Sequence, residues 1–159
     1  NIKTSQEIAI MALGGEILAD TMAKVLEKAQ PGISTLELDK FAEELILKAG
    51  GKPSFKMEKG YFYTTCMCVN DVVVHGIPSV ELLKNGDILG VDMGVFYKGF
   101  HTDGSWTIQC HSGATRSAAM SKLEASPLES SKKDAIASLQ HDGTSVFLQT
   151  GELALKKSH

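Results

Sequence analysis

With 159 residues and a formal net charge of −3, the chain offers no electrostatic reason to expect nucleic acid or an anionic membrane as a partner. Its 43% apolar content suits one domain with its own core, and its longest apolar stretches are only a few residues, so none is expected to span a bilayer. Three cysteines in no framework spacing suit a reducing cytosol, and Glu7, Glu16 and Asp20 interrupt the first apolar segment, so no signal peptide is expected there.

Residues 4–29 predict an amphipathic helix. Thr4 and Glu7 have capping-box spacing, and Ile8, Met11, Leu18, Met22, Val25 and Ala29 recur at helical intervals until Pro31 and Gly32. Ser34 and Glu37 repeat the capping signal for a second helix carrying Leu38, Phe41, Ala42, Leu45 and Ile46, and Gly50 and Gly51 end it. Both helices read as scaffold.

The middle of the chain changes character. Residues 61–69 and 72–75 are rich in aromatic and β-branched types and predict two strands around an Asn70-Asp71 turn. Cys66 and Cys68 would share one side of the first, as small buried strand residues. His75 follows the second strand and precedes Gly76-Ile77-Pro78. That placement allows either a hydrogen-bonded structural residue or a rim donor to a substrate atom.

After an Asn85-Gly86 turn, the stretch GDILGVDMGVFYKGFHTDGSWTI predicts a hairpin turning at residues 97–99. A turn symmetric about 97 and 98 sets Asp92 directly opposite Asp103 and His101 opposite Gly94, with Leu89, Val91, Met93 and Val95 on the reverse, core-facing side. Carboxylates about 5 Å apart repel by roughly 3 kcal/mol at an effective dielectric of about 20. Either a cation lies between them, or one carboxyl is protonated, or the pair is simply solvated. Gly90 and Gly94 beside Asp92, and Ser105 beside Asp103, leave room for an ion, and a metal site is the preferred reading. Two carboxylates alone hold a divalent ion weakly, so a tight site needs further ligands, and His101 on the same face is a possible one.

Beyond Ile108 the pattern fades. Residues 110–145 contain no aromatic residue and eight serines, and read as a linker or long surface excursion. Residues 146–157, VFLQTGELALKK, predict the start of another helix. Two helices followed by several strands indicate an α+β domain, with the helices covering one face of a mainly antiparallel sheet.

The stretch VNDVVVHGIPSVELLKNGDILGVDMGVFYKGFHTDGSWTI resembles the signature region of type I methionine aminopeptidases, members of the pita-bread metallopeptidases, and ISTLELDKFAEELILKAGGKPSF resembles their second helix and the chain leading into the sheet. The resemblance spans residues 4–109, the N-terminal half of that fold. It divides the chain into that half, the unmatched segment 110–145, and 146–159 as the start of a helix of the second half.

What the resemblance implies is residue-specific. Asp92 corresponds to a ligand of one metal of a dinuclear centre, and Asp103 to the ligand bridging both. His75 corresponds to a catalytic histidine that hydrogen-bonds the scissile amide region. Tyr61, Cys66 and Phe55 fall where the family lines its methionine pocket. The implied activity is removal of the N-terminal methionine from peptides and nascent proteins in the cytoplasm, by a metal-bound hydroxide attacking the first peptide bond. Two divalent ions, of Mn, Fe, Co or Zn, are the implied cofactors, and the complete protein is expected as a monomer. The family's other three ligands, one histidine and two glutamates, come from its second half and have no recognisable counterpart in this sequence. An alternative reading is therefore an inactive truncated homologue that binds peptide N-termini, or a ribosomal partner, without cleavage.

Overall fold

The computed structural model describes residues 2–112, 144–149 and 152–157. Helix α1 runs Ser5–Lys28 and helix α2 runs Thr35–Lys48, each opened by the capping box its sequence predicts. Thr4 Oγ1 accepts from Glu7 N at 3.3 Å while Thr4 N donates to Glu7 Oε2 at 2.7 Å. Ser34 and Glu37 repeat the exchange at 3.2 and 3.0 Å. Each box satisfies amide donors that a helix start leaves unpaired. Gly50, at φ 80°, adopts the left-handed conformation that ends α2.

The principal sheet is antiparallel. Strands β1 (Lys52–Pro53) and β2 (Thr65–Val69) pair with successive parts of one edge of β3 (Ile88–Tyr97), and β4 (Phe100–Gln109) pairs with the other edge. Strand β1 and the 3-10 turn Phe55–Met57 have no counterpart in the sequence prediction, because two residues are too few to show a period. Leu89, Val91, Met93 and Val95 are completely buried on one face of β3. Against them pack Leu18, Met22, Val25 and Leu26 of α1 and Leu38, Ala42 and Ile46 of α2. Because side chains alternate along a strand, this leaves Asp92 on the face that the helices do not cover.

Three expectations need correction. The hairpin turn is Lys98-Gly99, with φ of 45° and 94°, so Tyr97 pairs with Phe100. A two-residue turn with both φ values positive matches the strand twist, and Gly99 makes it accessible. The register accordingly sets Asp92 opposite Ser105, Gly94 opposite Asp103, and His101 opposite Phe96. A shift of two positions preserves facing, so Asp92 and Asp103 stay on one face but as diagonal neighbours.

Residues 72–75 form no strand, and of 61–69 only Thr65–Val69 does. Val73 and Val74 are 87% and 65% exposed, since β-branching favours a strand only where a ladder partner exists. Asn70 turns the chain away at φ 55°, held by Ile88 N donating to its Oδ1 at 3.0 Å and by its own Nδ2 donating to Asp87 Oδ1 at 3.1 Å. Cys66 is buried as expected, whereas Cys68 is half-buried.

The helix expected over 146–157 is replaced by a hairpin of β5 (Thr144–Gln149) and β6 (Glu152–Lys157), in register from Thr144↔Lys157 to Gln149↔Glu152. Local composition favours a helix here, especially in ELALKK, and pairing between the two short runs overrides it. The rest of 110–145 beyond Ser112, up to residue 143, lies outside the described residues. Among the described residues no helix is long and apolar enough to cross a membrane.

Candidate active site

The uncovered face of the sheet forms the floor of a cavity of about 480 Å³ lined by Phe55, Glu58, Tyr61, Cys66, His75, Ile77, Asp92 and Asp103. All six site residues singled out in the sequence line it: Asp92, Asp103, His75, Phe55, Tyr61 and Cys66. Five parts of the fold bring them together: the 3-10 turn with its following loop, β2, the His75 loop, β3 and β4. Strand β2 contributes Cys66, whose register partner is Asp92 on β3, and β4 contributes Asp103 across the hairpin.

The aromatic wall is built on close contacts. Ser54 N donates to Gly94 O at 2.9 Å, fastening the start of the 3-10 turn to β3. A Cβ at Gly94 would lie 2.8 Å from Ser54 Cβ and 3.1 Å from Phe55 Cε1, so glycine is what lets Phe55 settle against the sheet. Phe55 and Tyr61 meet edge to face at 6.4 Å between ring centroids. Tyr61 O–H donates to Thr65 O at 2.7 Å and lies 3.3 Å from Cys66 Sγ. Burial, then the bond to Cys66, pushes the Tyr61 phenol well above its ordinary value, so it stays a neutral donor. Burial also pushes the Cys66 thiol up, against the hydrogen bond with Tyr61, while Asp92 adds to the rise.

Behind this wall, Asp39 of α2 is buried and accepts three hydrogen bonds on one oxygen. Thr64 N, Thr65 N and Thr65 Oγ1 reach its Oδ1 at 2.9, 2.8 and 2.7 Å. This capture explains why β2 begins only at Thr65, and it holds the residue on which Tyr61 is anchored. No pattern in the sequence of α2 marks Asp39, because its partners lie 25 and 26 residues away.

His75 stands on the opposite rim. Its φ is 55°, a left-handed backbone that histidine adopts more readily than bulkier residues. The loop that follows it is pinned twice: Met67 N donates to Gly76 O at 2.8 Å, and Ser79 N donates to Thr35 Oγ1 at 2.9 Å. A Cβ at Gly76 would collide with the Met67 carbonyl, so only glycine permits this close approach. His101, the other candidate, is not among the cavity's lining residues. Its Nδ1 lies 2.6 Å from Ser54 Oγ and its ring lies beside Phe96.

The carboxylates carry the electrostatic character of the site. Burial is the main reason that Asp92 is pushed above the usual carboxylate range, reinforced by the charge of Asp103 and a hydrogen bond shared with it, and opposed by His75. A half-buried carboxyl raised by a second acid releases its proton more readily once a cation balances the pair. The donors are hard oxygens of the kind divalent ions accept, so a metal fits here. The set is partial: among the described residues no group of three or more His, Cys, Asp or Glu side chains is placed to hold a metal ion.

Glu58 and Ile77 were not singled out as site residues. Ile77 lies inside the Gly-Ile-Pro stretch that had already been noticed, whereas nothing in the pattern around Glu58 marks it. A smaller groove of about 190 Å³ continues from the cavity past Cys66, His75 and Asp92 toward Val73, Ser105 and Thr107.

Two helices thus back an antiparallel sheet whose open face gathers paired acids and a histidine around one cavity. The chain belongs to metallopeptidase family M24, whose sequence profile matches residues 9–146. A methionine aminopeptidase of Clostridium perfringens is 45% identical over 106 residues, covering 67% of this chain and 43% of the relative. Methionine aminopeptidase 1 of Bacillus subtilis is 45% identical over 105 residues, covering 66% and 42% respectively. The crystal structure of the Thermotoga maritima methionine aminopeptidase superposes with a TM-score of 0.68 at 27% identity, covering 92% of this chain and 65% of that one. The helices and sheet are thus half of a pita-bread fold, and the chain spans about two fifths of the length of the curated relatives it matches.

Proposed function

We propose that this chain supplies the N-terminal part of an aminopeptidase site that removes methionine from peptide and protein N-termini with divalent metal ions. The observation carrying this reading is the convergence of Asp92, Asp103, His75, Phe55, Tyr61 and Cys66 on one cavity. Asp92 and Asp103 would hold the metal. A metal held there would supply Lewis-acid polarisation of the scissile carbonyl and an activated water. Phe55, Tyr61 and Cys66 offer an apolar wall for the terminal side chain, and Tyr61, kept neutral, adds no charge there. His75 would hydrogen-bond the scissile amide, oriented by its left-handed backbone and by the pinned loop at Gly76 and Ser79 that follows it. The division into 1–109, 110–145 and 146–159 remains part of the proposal, with the first segment carrying the site.

A second reading is favoured by the partial donor set. Two carboxylates without a third donor among the described residues suit a chain that binds peptide N-termini or a partner and does not cleave. Both readings require the carboxylate pair to bind metal or peptide, and turnover separates them.

The test is calorimetric titration with Mn or Co, together with release of free methionine from a Met-Ala-Ser peptide. Asp103→Asn should weaken metal binding by more than about tenfold, equivalent to about 1.4 kcal/mol. An unchanged isotherm refutes the metal assignment. Metal-dependent methionine release that Asp92→Ala abolishes supports cleavage, whereas peptide binding without release supports the second reading.

A further inference from the structure

Asp92, Asp103 and Glu58 line the cavity, and among the described residues no lysine or arginine does. Asp92 and Asp103 sit together on the sheet, as suits a shared cation. Glu58 lies apart from them in chain and in setting. It closes the 3-10 turn, where its N–H donates to Phe55 O at 3.1 Å and its carbonyl accepts from Tyr61 N at 3.2 Å. Those two bonds hold its backbone between the two aromatic residues of the wall, with the residue itself exposed. Among the described residues no hydrogen bond or ion pair engages its carboxylate. Lys56, two residues away, is committed to Glu43 at 2.6 Å.

We infer that Glu58 is a specificity-determining residue, selecting peptides with a positively charged side chain close behind the terminal residue. The inference rests on the proposed function and names the substrate class for that same cavity. The terminal side chain occupies the apolar wall and the free amino group lies toward the aspartates, so the outgoing chain is what passes the exposed rim. An extended peptide advances about 3.3 Å per residue, which keeps a lysine two positions behind the terminal residue within reach of a rim carboxylate. The pair that forms is partly solvated, so the gain is modest, about two- to fivefold in affinity, and salt-sensitive. A cation at this position also speeds encounter with an acidic cavity.

The experiment measures the affinities of Met-Ala-Lys-Ser, Met-Ala-Ala-Ser and Met-Ala-Glu-Ser for this chain by calorimetry or NMR titration, so the readout does not depend on turnover. The order expected at low salt is Lys above Ala above Glu, with the spread collapsing at high salt. Glu58→Gln should flatten the series and Glu58→Lys should invert it. If Met-Ala-Ala-Ser binds but the lysine peptide gains nothing, the inference fails and the proposed function stands. A Glu58→Gln variant that lowers all three affinities by one factor also overturns it, because Glu58 would then serve the common amino group. If none of the peptides binds, the inference falls together with the proposed function.

Discussion

Asp39 offers a direct test of how helix α2 supports the cavity wall. Replacing it by alanine removes the single oxygen that Thr64 N, Thr65 N and Thr65 Oγ1 all use. The hydroxyl can turn elsewhere, but two buried backbone N–H groups are orphaned, at about 1–3 kcal/mol each. Removing a carboxylate that burial disfavours returns part of that cost, so Asp39→Ala should destabilise by about 2–4 kcal/mol. Asp39→Asn keeps a carbonyl oxygen at the same place and should cost about 1 kcal/mol or less. Urea unfolding followed by circular dichroism reads both, as a lower midpoint at unchanged slope. Burial, opposed by the Thr64 and Thr65 bonds, holds the Asp39 carboxyl above its ordinary value of 3.8, so the folded state binds that proton more tightly than the unfolded state. This contribution is fully present below 3.8 and is lost as pH rises through the folded value, so the wild-type advantage over Asp39→Asn should shrink across that window. Asp39→Ala as stable as wild type, or Asp39→Asn as damaging as Asp39→Ala, refutes the account.

Two further outcomes separate the cavity from the core behind it. Gly94→Ala forces a Cβ to within 2.8 Å of Ser54 Cβ and 3.1 Å of Phe55 Cε1, so it should cost about 1–3 kcal/mol and weaken binding of Met-Ala-Ser by displacing the aromatic wall; a wild-type affinity in titration would contradict the packing argument. Met93→Ala empties a fully buried position on the helix-covered face and should cost about 2–5 kcal/mol, while the metal isotherm of the folded protein stays as in wild type. A changed isotherm there would mean that the two faces of β3 are not independent.

The sequence by itself determined the parts governed by near neighbours. Capping boxes at Thr4 and Ser34 set both helix starts, because their hydrogen bonds span three residues. Alternation along β3 assigned Val91 and Met93 to the core and Asp92 to the open face, and this survived a wrong register because a slip of two keeps every side chain on its face. The same locality explains the misses. Register turned on the backbone of Lys98 and Gly99, and residues 72–75 had β-prone side chains with no ladder partner within reach. Residues 146–157 carried helix-compatible composition on both sides of a Thr-Gly pair, where pairing between two short runs decided for strands.

Only the tertiary structure decided how the cavity is assembled. Motif resemblance named Phe55, Tyr61 and His75, but their meeting depends on Gly94 admitting the 3-10 turn, on Asp39 gripping Thr64 and Thr65, and on Gly76 lying under Met67. Each is a contact between segments far apart in the chain, and no local period encodes it. Glu58 is the clearest case. As a residue it is an unremarked acid in a polar loop; its position at the rim of a cavity that it shares with Asp92 and Asp103 exists only once those long-range contacts have formed.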